Sequence, residues 1–385
     1  MPNINELKLA KELIRFPSIT PRDAGAINFL RKKLKSLGFK CKILEFKDKK
    51  SKPIKNLYAR LGTKQPNLCY AGHTDVVPPG NTNDWTINPF KPVVKKNYLI
   101  GRGANDMKSS IACFVAAVSK YLKDNKKFNG SISFLITGDE EGYAINGTKK
   151  VVEYLKRKKE KINFCIVGEP TNPNKLGEMI KIGRRGSLTG KIEVSGVQGH
   201  VAYPHLLNNP INTLINICKI LKEKKLDNGN RNFQPSNLEF TEIFVDNKAH
   251  NVIPAKARAQ FNIRYNNFHT GISLKKKINK IIKNLCKKGK CSYKVEYLAN
   301  GDSFLTKPEK TIFMARNIIK KITKISPKFS TTGGTSDARF IKSISPCLEF
   351  GLVNKTMHKV DECVSIYDLK KLTNIYQNIL IEYFK

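Results

Sequence analysis

Residues 107–142 read MKSSIACFVAAVSKYLKDNKKFNGSISFLITGDEEG, and the change of period inside this stretch decides the fold. Over 107–122, Ile111, Val115, Val118 and Leu122 recur at helical spacing and share one face. Over 130–137, GSISFLIT is a short apolar run with the composition of a strand. Two acids, Glu140 and Glu141, follow that strand directly. The same alternation continues on both sides. Helices are predicted at 5–15 and 23–37, with Gly38 able to cap the second. Strands are predicted at 39–46, 56–61 and 67–72, a helix near 147–158 and a strand at 162–167 (INFCIV). Strands alternating with helices predict an α/β sheet covered on both faces.

The middle of the chain has another order. From about residue 187 it runs strand (LTGKIEVS), helix (209–224), strand (238–245), strand (256–265), helix (272–287), strand (291–297). This is βαββαβ, the ferredoxin-like α+β order. It reads as an inserted domain at 184–298, between a first catalytic part at 1–183 and a second at 299–385. In the second part a helix at 308–322, the turn TTGGTSD, a strand at 346–350 and a helix at 366–384 resume the first pattern.

Five candidate ligands sit just past strands or in Gly-rich turns: His73 in GHTDVVPPG, Asp106 in GRGANDMKSS, Glu141 in TGDEEG, Glu169 in VGEPT and His358 in NKTMHKVDE. An open α/β sheet places its chemistry at the carboxyl ends of its strands. Two imidazoles and three carboxylates are a donor set for two zinc ions, one carboxylate being shared. Asp75 lies two residues beyond His73, where a carboxylate can take the hydrogen bond of the imidazole N–H that faces away from a metal. Asp106, read alone, is more often an N-cap for the helix that follows. Glu140, beside a ligand, is the candidate general acid and base.

Together and in this order, these motifs resemble the M20 family of dinuclear zinc peptidases and deacylases. IKIGRRGSLTGKIEVSGVQGHVAYPH, NVIPAKARAQFNIRYN, FSTTGGTSDARFI and EFGLVNKTMHKVDECV extend the resemblance over nearly the whole chain. The resemblance implies a zinc-peptidase-like α/β catalytic domain, with the inserted domain serving as lid and dimerisation surface. It implies two Zn2+ per chain, with Co2+ able to substitute. His73 and Glu169 would hold one ion, Glu141 and His358 the other, and Asp106 would bridge. His200, in GVQGH, would reach the partner subunit's site in a homodimer and stabilise an oxyanion. It further implies a cis Asp106–Met107 peptide. Arg184, Ser187, Tyr203, Asn251, Arg264, Gly334, Thr335, Arg339 and Asn354 stand where the family holds a small anionic N-succinyl amino-acid substrate, for which the planar Arg fork is suited. Ser109 departs from the Gly that family members often carry. Other deacylases and dipeptidases of the family share the metal motifs, so those motifs do not separate the substrates.

Composition sets the outer bounds. The 385 residues are enough for two domains, and a formal charge of +39 arises from 70 Lys and Arg against 31 Asp and Glu. Nucleic-acid binding is the competing reading of that charge. No RNA-binding aromatic signature or zinc-finger spacing accompanies it, so neither nucleic acid nor membrane is expected as a partner. A Lys-rich surface is the simpler reading, and its field would also concentrate an anionic substrate. Nine scattered Cys without a CxxC pair point to a reducing, cytoplasmic compartment. The N-terminal residues read as a helix and not as a signal peptide.

Overall fold

A computed structural model describes residues 2–48, 52–125, 127–299 and 301–385. Contacts divide the chain into two units. The first comprises Met1–Ile182, Thr306–Ser330 and Ser336–Lys385. The second comprises Gly183–Leu305 and Thr331–Thr335.

The first unit is built on an eight-stranded sheet. Its order is Lys40–Phe46, Ile54–Leu61, Ser131–Thr137, Asn67–His73, Phe164–Val167, Cys347–Glu349, Met179–Lys181 and Lys328–Ser330. The four strands in the middle, from Ser131–Thr137 to Cys347–Glu349, run parallel to one another. Every residue of Ser131–Thr137 and of Asn67–His73 is buried, as a strand covered on both faces requires. Glu6–Ile14, Lys108–Asp124 and Ile366–Tyr383 form one packed group of helices, and Ala26–Ser36 and Thr148–Arg157 pack on the antiparallel side of the sheet. The predicted helix at 107–122 thus appears as Lys108–Asp124, with Ser109 fully buried in its first turn. Met107, not Asp106, occupies its N-cap position. The Asp106–Met107 peptide is cis.

A polar chain inside an aromatic cluster fixes these layers to the strand ends. The Tyr70 ring stacks on Phe114 with centroids 4.4 Å apart. Its hydroxyl donates to Ser110 Oγ at 3.0 Å, Ser110 Oγ lies 3.1 Å from Tyr376 Oη, and Tyr376 Oη donates to the Phe350 carbonyl at 2.6 Å. Each buried hydroxyl therefore has a partner, as burial demands. Gly168 runs directly over this chain. A Cβ at that position would lie 1.9 Å from Tyr70 Oη, so only glycine lets the backbone pass on toward Glu169.

The second unit has the βαββαβ order expected from the sequence. Its antiparallel sheet runs Asn237–Phe244, Lys256–Tyr265, Gly186–Ser195, Ser292–Ala299. The helices Pro210–Glu223 and Gly271–Lys288 bury one face of it. The alternation along Lys256–Tyr265 is the cause: Ala257, Ala259, Phe261, Ile263 and Tyr265 are buried, while the residues between them are not. The second helix opens with a capping box between Thr270 and Ser273. Among the described residues no helix is long and apolar enough to cross a membrane.

Overpacking of a filled site costs about 1–3 kcal/mol. Gly168→Ala should therefore lower the stability measured by urea unfolding by about that amount. Tyr70→Phe in the same background should restore part of it by removing the clashing oxygen. An unchanged urea midpoint in Gly168→Ala would contradict the packing described.

Candidate metal centre

The four parallel strands deliver their chains to one place. His73 is the last residue of Asn67–His73. Glu140 and Glu141 follow Ser131–Thr137, Glu169 follows Phe164–Val167, and the loop to His358 follows Cys347–Glu349. Asp106 arrives separately, on the turn before Lys108–Asp124.

His73 is 1 % exposed, and its orientation is fixed from behind. Its Nδ1–H donates to the Asp75 carbonyl oxygen at 2.9 Å. That bond turns Nε2 toward the carboxylates of Asp106 at 3.1 Å and Glu169 at 3.8 Å, the nitrogen that would be offered to a metal. The expectation for Asp75 is corrected in one respect. Its carboxylate is 3.6 Å from His73 Nδ1, too far for a hydrogen bond. The strand ends at His73, so strand alternation no longer governs Asp75. Its carboxylate turns instead to the backbone N–H groups of Glu140, at 3.1 Å, and Glu141, at 3.0 Å. Asp75 thus orients His73 through its main chain and holds the acid pair through its side chain. Asp139 completes that turn by accepting N–H bonds from Ala144, Ile145 and Asn146.

Asp106 stands between the two imidazoles. Its Oδ1 lies 3.1 Å from His73 Nε2 and its Oδ2 lies 3.3 Å from His358 Nε2. Glu141 Oε1 is 2.9 Å from the same His358 nitrogen. Three sets of side chains place their donor atoms within 4.8 Å of one another: His73 with Asp106 and Glu169, Asp106 with Glu141 and His358, and His73 with Glu140 and Glu141. The first two sets share Asp106 and include all five sequence candidates. Imidazole and carboxylate are the donor types of a hydrolytic zinc site, so this chain fits two such ions by chemistry and by sharing.

The electrostatics show what the donors lack. Burial and the nearby Glu169 charge hold the Glu140 carboxyl well above the usual range. Burial also raises Asp75, to about 7, against the opposing influence of His73. For His73, burial acts downward. The hydrogen bond to Asp106 and the charges of Asp106, Glu169 and Asp75 outweigh it and hold the imidazole well above its ordinary value. Hydrogen bonds to Asp106 and Glu141 raise His358 to about 10. Burial raises Asp106 as well, but the bonds from His358 and His73 prevail, and its carboxyl is depressed. Crowded, buried carboxylates thus raise the proton affinity of both imidazoles, as they would favour any positive charge placed among them. The His358 side chain is 42 % exposed, so this side of the cluster is open to solvent.

The other candidate residues fall into separate groups. In the second unit, Ser187 opposes Arg264 in the sheet register, and Asn262 donates to Ser187 Oγ at 3.2 Å. Arg184 donates from Nη1 to the Thr332 carbonyl at 3.3 Å, beneath the turn that carries Gly334 and Thr335. A Cβ on Gly333 would lie 2.6 Å from that nitrogen. His200 is exposed, accepts the Ala202 N–H on Nδ1 at 3.1 Å and sits 5.9 Å from the Tyr203 ring. The Asn251 carbonyl accepts the N–H of Val201 beside it. In the first unit, the Arg339 guanidinium lies over Phe340 and donates to the Ser336 carbonyl, and the Asn354 N–H donates to the Asn172 carbonyl. Among the charged residues near the site that were not sequence candidates are Arg102 and Glu362, a buried ion pair at 2.7 Å. Their only signal was position, Arg102 within GRGAND and Glu362 at the end of HKVDE.

A model of peptidase family M20/M25/M40 matches residues 69–382. The chain is 68% identical over 384 residues to a succinyl-diaminopimelate desuccinylase of Pelagibacter ubique, covering 100% of both chains. It is 50% identical to the enzyme of that name from Ehrlichia canis, covering 99% of each, and 48% identical to that of Parvibaculum lavamentivorans, covering 98% of this chain and 95% of the other. Among solved structures, the aminopeptidase PepT of Bacillus cereus superposes with a TM-score of 0.79 at 19% identity over 100% of both chains. The YXEP protein of Bacillus subtilis, described as a dinuclear metal-binding peptidase of the M20 family, superposes with a TM-score of 0.72 at 12% identity, covering 99% of this chain and 98% of the other.

The raised folded pKa values carry a consequence for stability. A group that binds its proton more tightly in the folded state stabilises the fold below its unfolded pKa and loses that contribution as pH rises through the folded value. His358 spans this window from its ordinary value of 6.5 to about 10, whereas Asp75, raised from 3.8 to about 7, loses its contribution at lower pH. The melting temperature of the chelator-treated protein should therefore fall between about pH 6.5 and 10. Bound divalent metal should flatten that dependence, because it replaces the protons. Parallel melts with chelator and with zinc check this; identical pH profiles would contradict it.

Proposed function

The chain belongs to peptidase family M20/M25/M40, and from that membership we propose that it hydrolyses the succinyl amide of N-succinyl-L,L-2,6-diaminopimelate, yielding succinate and L,L-diaminopimelate. The observation that carries the hydrolytic reading is Asp106 standing between His73 and His358, with Glu169 and Glu141 outside them. The choice of substrate rests on the full-length relatives that bear the desuccinylase name, and places the reaction in the formation of diaminopimelate and lysine.

His73 and Glu169 would hold one zinc ion, Glu141 and His358 the other, with Asp106 common to both. Such a pair supplies Lewis acidity toward a carbonyl oxygen and lowers the pKa of water. The remaining steps belong to the chain. Glu140 takes a proton from the attacking water and delivers it to the departing amine nitrogen, so that one carboxylate serves as base and then as acid. A carboxyl with a strong affinity for its proton suits the second task. Asp75 keeps this machinery aligned, since its carboxylate holds the amides of both Glu140 and Glu141.

The substrate has three carboxylates and one ammonium group, a net charge of about −2 from reference values. Arg184, Arg264 and Arg339, with Ser187, Tyr203, Asn251, Gly334, Thr335 and Asn354, are assigned to the substrate's carboxylates and its distal amino-acid group. Arg can grip a carboxylate with two parallel N–H bonds. His200 is assigned to the oxyanion of the tetrahedral intermediate, contributed by a second copy of the chain in a homodimer. The Lys-rich surface steers the anion inward.

Three measurements bear on this reading. Zinc-supplemented protein assayed on N-succinyl-diaminopimelate, N-acetylornithine and dipeptides should give by far the highest kcat/KM on the succinyl substrate. Preference for acetylornithine would transfer the chain to another branch of the family. Glu140→Gln should retain metal and lose about 10²–10⁴-fold in kcat, the usual contribution of a general acid–base. Loss of metal in Glu140→Gln with retention in Glu141→Gln would reverse the two roles. Finally, subunit exchange between inactive Glu140→Gln and His200→Ala proteins should restore activity, because a mixed dimer contains one intact combination. Silence after demonstrated exchange would remove His200 from the neighbour's site.

A further inference from the structure

Glu362 is fully buried and accepts four hydrogen bonds. Oε2 receives Arg102 Nη1 at 2.7 Å and the Gly103 N–H at 3.1 Å. Oε1 receives the N–H groups of Asn105 at 2.6 Å and Asp106 at 3.0 Å. Its backbone carbonyl accepts a further bond from the Gly101 N–H at 2.9 Å. One side chain thus shapes the whole turn that presents Asp106.

Arg102, 2 % exposed, carries this order to the other segments. Beyond Glu362, its guanidinium donates to the carbonyl oxygens of Pro78 at 3.3 Å, His358 at 3.4 Å and Lys359 at 3.2 Å, and it lies over the Trp85 ring. Pro78 belongs to the segment that leaves His73. His358 and Asp361 both have positive φ, 63° and 53°, a conformation uncommon for non-glycine residues, though His and Asp adopt it more readily than most. Arg102 bonds the carbonyl of the first, and Thr86 holds the carboxylate of the second at 3.0 Å. A salt bridge between groups this buried gains little net stability over an apolar pair of the same volume. Its geometry, in contrast, is specific: a planar fork and a carboxylate together bind six backbone atoms on three segments.

From this we infer that Arg102 and Glu362 are positioning residues which fix the bridging carboxylate of Asp106 against His358, and so set the affinity of the centre for metal. The inference rests on the two-metal reading given above. Neither residue belongs to the candidate ligand clusters; both bond to the backbone of residues that do. The carboxylate is required because every atom facing Glu362 is a donor. A glutamine would keep one acceptor oxygen and turn an NH2 group toward two N–H donors. An Arg102→Lys change would keep the charge and lose the fork that reaches several carbonyls at once.

The test is zinc titration against a competing chromophoric chelator, on the full-length protein, with Co2+ absorption spectra as a second readout. Outer partners of metal ligands typically contribute about 10–100-fold in affinity, and Glu362→Gln should lose that much. Because Asp106 is common to both ions, both binding steps should weaken and the Co2+ bands should shift. Arg102→Lys should weaken binding less, and mainly in the step that involves His358. Glu160→Gln, which breaks the Arg60–Glu160 pair in the same unit, serves as the stability control. It should lower the melting temperature and leave both zinc affinities unchanged. If Glu362→Gln and Arg102→Lys bind two zinc ions as tightly as the unaltered protein, the positioning role is overturned while the two-metal reading stands. Affinity losses no larger than those of Glu160→Gln also overturn it. If the unaltered protein binds no divalent ion, the two-metal reading fails, and the inference with it. Should Glu362→Gln fail to fold, Arg102→Lys decides the matter by the same criteria.

Discussion

One carboxylate between two imidazoles sets the constraint that the rest of this protein serves. Asp106 presents an oxygen to His73 and the other to His358. Around it stand Glu140, Glu141 and Glu169, so anionic groups outnumber imidazoles in a largely buried space. Such a concentration of carboxylates is costly unless positive charge is brought to it. The raised proton affinities of His73, His358 and Glu140 express that cost. Divalent cations are the natural remedy, and on the proposed reading the same cations supply the chemistry.

The fold meets the constraint by topology. Four adjacent parallel strands end at the same edge, and each end contributes to the cluster. Short connections then suffice to place each side chain, because the sheet has already brought the backbones together. Fine placement comes from groups that bond to backbone. Asp75 holds two amides, Glu362 holds three, and the Tyr70–Ser110–Tyr376 chain holds the carbonyl of Phe350. Gly168 allows the backbone to pass the aromatic cluster on its way to Glu169. These residues turn an approximate convergence of strand ends into donor atoms at hydrogen-bonding distance.

Much of this is legible in the sequence alone. The change from period 3.6 to apolar strands in 107–137 predicted the layered sheet, and βαββαβ predicted the second unit, because both patterns record burial directly. The ligand candidates were legible because His, Asp and Glu stand out just past apolar strands. What escaped the sequence depended on backbone direction. Asp75 was expected to face His73 with its carboxylate, but the strand stops at His73 and the side chain goes to the amides of the acid pair. The left-handed backbone at His358 leaves only a weak signature, since His visits that region more often than most non-glycine residues but far less often than glycine. Arg102 and Glu362 pair across about 260 positions of sequence, in a chain where basic residues are so abundant that one buried arginine cannot be told from the exposed ones. The short strands Met179–Lys181 and Lys328–Ser330 were missed for a related reason: three residues carry too little pattern.

The central claim is that Asp106 joins two metal ions. It is tested most directly by anomalous diffraction at the zinc edge on crystals of the zinc-loaded protein. The account predicts two peaks per chain, about 3.5–4 Å apart, with one Asp106 oxygen on each, His73 and Glu169 beside one, and Glu141 and His358 beside the other. A single peak, or two peaks of which only one contacts Asp106, would contradict it.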